Sequence, residues 1–421
     1  MSTLSALIDR LKRSTPPWKD ILEYMEKNPS FLMFGPAQIA GTWYYVNPLT
    51  GADNNDGLSV LTALKTLSAA YAKCGDGTGD GIVLLSAGTG ASASTTSYLS
   101  ATLAWTKSGI TVIGVASGTR KANRARIASQ EITSLDSAGM SQTAHSITRD
   151  DGGSFINDGW VIGMTGYLKD SGGNNGATFT VTNVTALTLT ISETFSVVSK
   201  ATSASCTLTS YLATVIALSG TNNSFFNVHI GNYGSQVGSL GAVKVTGARN
   251  YFDRCHLYGA ANAVPAAQTG AYDLSIGNGA SECTFERCTF GSDTIIRAAT
   301  NGNIRFDGTA AASAPSRIAF YDCDILCWTA TSTKGAILSS GIYSFQGVVT
   351  FSRCRFMSWS PNGITAIASA FIGTKPDSGI VLIDSCSLVG WAAWDSVSEA
   401  VMYVANSSSQ ASAGGGIATH T

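Results

Sequence analysis

Charge is scarce in this chain. Asp, Glu, Lys and Arg make up 13% of its 421 residues, about half the share of an ordinary globular protein. So little charge implies that much of the surface is covered, most simply by further copies of the chain. The net charge of −1 supplies no basic field for nucleic acid or an anionic membrane. No run of about 18 apolar residues occurs, which excludes a membrane-spanning helix. An amphipathic, charged segment stands where a signal peptide would have its apolar core, so no signal peptide is expected. Gly-x-Ser-x-Gly, Walker, His-Glu-x-x-His and Cys-x-x-Cys motifs are missing. No cofactor and no metal is implied. The nine cysteines are an odd number in a long chain, which is not a disulfide framework.

What is present is repetition. Five segments share one pattern: Asn250-Tyr-Phe-Asp-Arg-Cys255-His-Leu, Glu282-Cys-Thr-Phe-Glu-Arg-Cys288-Thr-Phe, Arg317-Ile-Ala-Phe-Tyr-Asp-Cys323-Asp-Ile, Val349-Thr-Phe-Ser-Arg-Cys354-Arg-Phe and Val381-Leu-Ile-Asp-Ser-Cys386-Ser-Leu. Each has an apolar residue three before the cysteine and another two after it. The cysteines lie 33, 35, 31 and 32 residues apart, and an earlier copy has Val228 in the cysteine's place. A fixed period of roughly 20–50 residues signals a solenoid, whose units bury their apolar faces only by stacking. The alternation around each cysteine has the two-residue period of a strand. The intervening spans are rich in Gly, Ser, Thr and Ala and carry no helical stripe. Phe285, Cys288 and Phe290 are therefore expected to point inward across a bend at Glu286 and Arg287. The cysteines become rungs of an interior ladder, as suits one of the most buried residue types, and unpaired thiols fit a reducing cytosol. The Cys283–Cys288 and Cys323–Cys327 spacings resemble metal sites only superficially.

Near the start, Trp43-Tyr-Tyr-Val46-Asn-Pro-Leu-Thr-Gly51-Ala-Asp53-Asn-Asn-Asp56-Gly57-Leu-Ser leads into Ala63-Leu-Lys-Thr66-Leu-Ser-Ala-Ala-Tyr-Ala and then Gly81-Ile-Val-Leu-Leu-Ser-Ala-Gly88-Thr. Ser108-Gly-Ile-Thr-Val-Ile-Gly114-Val reads as a further rung. This succession resembles the opening of the pectate-lyase-like right-handed parallel β-helix superfamily: a strand, an Asp/Asn/Gly turn, a short capping helix and the first full coil. The Asp53–Gly57 run also suggests a calcium loop, but the EF-hand spacing is absent and a turn is expected.

The resemblance implies an all-β fold, a right-handed parallel β-helix running through residues 41–140 and 212–405. About ten coils at the strand spacing of about 4.8 Å would make a rod near 48 Å. Within it, residues 141–211 read as an inserted small β domain, with alternating strand sequence over Asn174–Ile191. Residues 406–421, rich in Ser, Ala and Gly, form a flexible tail. Residues 1–40 differ in kind. Leu4, Ile8 and Leu11 repeat at helical spacing, Pro16-Pro17 breaks the segment, and Trp18, Ile21, Leu22 and Met25 form a second stripe. Two short helices with bare apolar stripes must dock on something, as a cap on the solenoid's open end or as an anchor onto a larger assembly. A helical anchor, a β-helix and an inserted β module together are similar to virion proteins of tailed bacteriophages, the tailspikes and head-decorating spikes, commonly homotrimers. That likeness implies a protein made in the host cytoplasm and built into the virion. It would be held to other virion proteins through residues 1–40 and would display the β-helix for contact with host-surface glycan.

Candidate chemistry follows from the register. Asp253 and Glu286 stand two before successive cysteines, hence one rung apart, flanked by Arg254 and Arg287. Two carboxylates about 5 Å apart suit a retaining glycosidase, which would make the chain a tailspike depolymerase. A charge-balanced turn ladder is the other reading. Lyases of this fold use a Lys or Arg base near calcium-holding acids, and no tight cluster matches them. His229 and His256 share a register and are expected to stack, exposed, on the outer face. Trp328, Trp359 and Trp391 each lie five after a register cysteine, with Tyr233 at the same offset from Val228. In line, the tryptophans would form an aromatic strip for a glycan, for a neighbouring subunit or for packing in the core.

Overall fold

The structure, a computed structural model, describes residues 40–86, 96–116, 124–137, 139–170, 173–199, 205–329, 334–359, 367–395 and 402–410. Each cysteine-centred repeat is two short strands meeting at a corner, as in Thr284–Glu286 followed by Thr289–Arg297. The corner residue just before each register cysteine adopts a left-handed conformation: Arg254, Arg287, Asp322, Arg353 and Ser385 have φ between 53° and 55°. A second left-handed column, Asn222, Arg249, Glu282 and Arg317, forms the preceding corner. Such a residue costs roughly 1–2 kcal/mol unless it is Gly or, less so, Asn. Asn227 and Asn406 hold the register-corner position in other coils, so the conformation suits asparagine. The side chain of the exposed Ser385 makes a 3.3 Å contact to Asp384 in return. Ser385→Asn should therefore raise stability by about 0.5–1 kcal/mol, read as a shift of the denaturation midpoint.

Coiling stacks these units into three parallel sheets of 10, 9 and 8 strands. This is the parallel β-helix expected from the repeat. The first sheet runs from Trp43–Val46 to Met402–Ala405, the second from Thr96–Leu99 to Ser408–Gln410, the third from Leu103–Trp105 to Trp391–Asp395. Backbone hydrogen bonds between coils fix the axial spacing, so one side chain recurs above its counterpart. Phe225, Phe252, Phe285, Phe320 and Phe351 stack inside the first sheet, centroids 4.4–5.0 Å apart and ring planes within 13° of parallel. The register cysteines are all free and buried. Each thiol lies 3.3–3.5 Å from the carbonyl of the phenylalanine one coil back, from Cys255 on Phe225 to Cys386 on Phe351. Ser407 ends the column, taking the Cys386 amide at 3.0 Å. Cys283 belongs to a neighbouring inward column that begins with Asn223 and Asn250, which explains its spacing to Cys288.

A seven-stranded antiparallel sheet interrupts the coil between Ala125–Ser129 and Thr214–Leu218. It has its own core of Phe155, Trp160, Phe179 and Leu208, among others. Its first strand, Thr133–Asp136, pairs with its last, Cys206–Tyr211, so the sheet starts ahead of residue 141. At the other end the helix Leu67–Lys73 covers the first coil. Asp53 organises that cap. One carboxylate oxygen takes the amides of Lys65 and Thr66 at 2.9 and 2.8 Å, the other the Thr66 hydroxyl at 3.0 Å. The Asp-rich run is thereby built as a capping turn.

Candidate functional site

Asp253 and Glu286 are register partners on adjacent first-sheet strands, so the sequence placed them correctly. Their surroundings, however, occupy them. Asp253 is buried and receives Arg254 Nε at 3.0 Å and Arg287 Nε at 2.8 Å on its two oxygens. Glu286 meets Arg287 Nη2 at 3.2 Å and accepts the Tyr251 hydroxyl at 2.6 Å. Burial, then the bond to Glu286, raise the Tyr251 hydroxyl well above its usual range. The acids thus form a ladder in which two arginines neutralise two carboxylates. Asp253 is closed off from solvent, while Glu286 stays partly accessible with both its oxygens engaged. The same balancing recurs higher up, where Arg353 Nε meets Asp322 at 2.7 Å and Arg355 Nε meets Asp324 at 2.6 Å.

The tryptophans do not form one strip. Trp328 and Trp359 are register partners in the second sheet, and Trp328 is half-buried. Trp391 instead pairs with Ile367 in the third sheet and is wholly buried in the core. The reason is local. The second-sheet strand of that coil ends at Val389, and Gly390 turns the corner with φ 78°. The chain has changed sheet before reaching Trp391. The candidate anchor residues Leu4, Ile8, Leu11, Trp18, Ile21, Leu22 and Met25 lie outside the described residues.

His229 and His256 stack in register on the outer face of the second sheet, but they are not exposed as expected. Tyr233 and Tyr258 lie against them, and His229 is only 6% accessible. Tyr233 folds back over Gly231, where a side chain would collide with its ring at 2.5 Å. The hydrogen bonds fix the tautomers. His256 Nε2 is 2.8 Å from the Gly291 carbonyl, so it must donate. The two Nδ1 atoms are 3.0 Å apart; with His256 Nδ1 bare, His229 Nδ1 carries the proton between them. His229 Nε2 then accepts from the Tyr233 hydroxyl at 2.7 Å. Every ring nitrogen is used, and both rings are neutral. Burial is the main cause that lowers both pKa values, with the nearby Arg124 and Arg126 guanidinium groups adding to it; His256 falls to about 4.

One cluster escaped the sequence reading. Asp273, Asn303 and Lys334 are buried together beside Arg297 where the second sheet turns into the third. Asn303 donates to Asp273 at 2.7 Å and Lys334 donates to Asn303 at 2.8 Å. The signal was their separation, 30 and 31 residues, which is the coil period. It went unseen because the repeat was aligned on cysteines, and these residues fall in the spans between. Among the described residues no three His, Cys, Asp or Glu side chains are gathered as for a metal ion.

No protein-family model and no curated protein matches the sequence. Among solved structures the chain is similar to a pectin methylesterase mutant in complex with a hexasaccharide, at 16% identity over 84% of this chain and 80% of that one, with a TM-score of 0.41. It is also similar to the pectin methylesterase from Aspergillus niger, at 14% identity over 89% and 87%, TM-score 0.41. A third is the tailspike protein gp49 from Pseudomonas phage LKA1, at 13% identity over 80% and 73%, TM-score 0.22. At such identities the likeness concerns fold alone.

Proposed function

We propose that this chain is a structural protein of a tailed-phage virion, held to the particle through residues 1–40, that displays its β-helix for non-cleaving contact with a host-surface glycan. The observation that carries the non-enzymatic reading is the state of the acid pair. Asp253 and Glu286 sit one coil apart, as a glycosidase pair would, yet Arg254, Arg287 and Tyr251 hold three of their four oxygens within 3.0 Å, and the fourth lies 3.2 Å from Arg287. A nucleophile needs an open approach; Asp253 is buried under two arginines, and both oxygens of the partly accessible Glu286 are engaged by Arg287 and Tyr251. Support for self-association, with a homotrimer as the reading adopted here, comes from the low charge and from Val348, Leu382 and Tyr403, accessible apolar residues on the outer first sheet.

Incubating purified protein with the host's surface polysaccharide should release no reducing ends, and the protein should bind that polysaccharide in a pull-down. Release of reducing ends that disappears in Glu286→Gln would replace this reading with a depolymerase. The anchoring part fails separately if a truncation lacking residues 1–40 still enters particles.

A further inference from the structure

Lys334 is a fully buried lysine that, among the described residues, has no carboxylate hydrogen-bonded to it. Its Nζ donates to Asn303 Oδ1 at 2.8 Å and to the Gly335 carbonyl. Asn303, also at 0% accessibility, donates through Nδ2 to Asp273 Oδ2 at 2.7 Å and to the Leu326 carbonyl at 2.8 Å. The other Asp273 oxygen is taken by Arg297 Nη2 at 2.6 Å and the Gly259 amide at 2.8 Å. One carboxylate therefore faces two cations in a place without solvent. A buried charge without a partner of opposite sign is costly, and a lysine so placed gives up its proton readily. Burial, the largest cause, brings the Lys334 amine down to about 8. A nucleophilic free base is thus available near neutral pH, against an amide whose nitrogen already touches a carboxylate.

We propose that Lys334 and Asn303 become joined by an intramolecular isopeptide bond, formed by the chain itself with Asp273 as proton carrier. The Nζ lone pair attacks Cγ of Asn303, and the carbonyl π electrons move onto Oδ1. Asp273 accepts the proton lost by Nζ and delivers it to Nδ2, to which it is already hydrogen-bonded. The adduct collapses, the Cγ–Nδ2 bond breaks, and Nδ2 leaves as ammonia. An amine and a primary amide give a secondary amide and ammonia, so no oxidant or co-reactant is needed. The 2.8 Å contact to Oδ1 puts Nζ beside the carbon it attacks, and preset geometry is a large part of any such rate. The backbone is bared to admit the group: a side chain on Gly291 would come within 2.2 Å of Asn303 Nδ2 and 2.9 Å of Asp273 Oδ2. The product removes the unbalanced buried charge. It also ties neighbouring third-sheet coils together, since Gly302 and Gly335 are register partners.

The test is the mass of the denatured full-length chain and its tryptic map. The linked chain should be lighter than its sequence by one ammonia. Trypsin should not cut after Lys334, so peptide 298–305 should be found attached to 318–353. Lys334→Met, which removes both the amine and its charge, should restore the sequence mass and release 298–305 as a free peptide. A wild-type chain of full sequence mass, with free 298–305 and 318–334, overturns the proposal. So does a loss of ammonia without the joined peptide, as a succinimide at Asn301 or Asn303 would give.

Discussion

Phe285→Ala is expected to lower stability by about 3–5 kcal/mol, the upper range for emptying a core aromatic position. Phe285 is fully buried at the centre of the stack. Its ring lies 5.0 Å from Phe252 and 4.9 Å from Phe320, with Phe290 edge-on at 5.8 Å. Each ring pair adds roughly 0.5–1.5 kcal/mol beyond burial. A globular core can shrink around such a hole from several directions. Here the coils above and below are held at strand spacing by their own backbone ladders, so Phe252 and Phe320 cannot approach each other. In a solenoid each unit contacts only its neighbours, so the damage should stay local. Chemical denaturation gives the magnitude, and amide exchange should speed most in the strands holding Phe252, Phe285 and Phe320. A loss below about 1 kcal/mol would show that the stack does not carry this part of the core.

The same regularity decides what could be read in advance. A repeating pair of inward positions around a cysteine is visible as letters at a fixed spacing, so the interior columns and the Asp253–Glu286 pairing were legible. Counting from the cysteine failed at Trp391 because Gly390 turns the corner early, and a corner's position depends on how many residues each strand takes. His229 and His256 were correctly paired, but the burial of His229 and the partial cover of His256 were not recognised. The residues that cover them, Tyr233 and Tyr258, lie at different offsets, so no column predicts the lid. Asp253's occupation by two arginines depends on long side chains reaching between coils, which spacing alone does not fix. The Asp273–Asn303–Lys334 cluster lies in the spans whose lengths vary from coil to coil, where no repeat marks the register.

The histidine chain makes acid the condition under which this fold should weaken most selectively. An unfolded imidazole titrates near 6.5, whereas folded His256 titrates at about 4 and His229 is shifted the same way. Between those values the unfolded chain binds more protons, so stability rises with pH. The contribution is fully present above about 6.5 and is lost as pH falls toward 4. For His256 alone the shift corresponds to about 3 kcal/mol at most, less to the extent that solvent screens a partly covered ring. The geometry gives the reason for the direction. A proton added to His256 Nδ1 would point at the proton already on His229 Nδ1, and one added to His229 Nε2 would displace the Tyr233 hydroxyl. Carboxylates held low in the fold, such as Asp151 beside Arg149 and Asp322 beside Arg353, act in a different window. Their folded values lie below the unfolded one, so their contribution is present above about pH 4 and is lost only below it. Denaturation midpoints measured between pH 7 and 4.5 therefore report on the histidines. Wild type should lose stability steadily across that range, and His256→Gln should flatten the slope even if it is less stable at pH 7. Equal slopes for the two chains would mean that His256 is already charged, or freely solvated, in the folded protein.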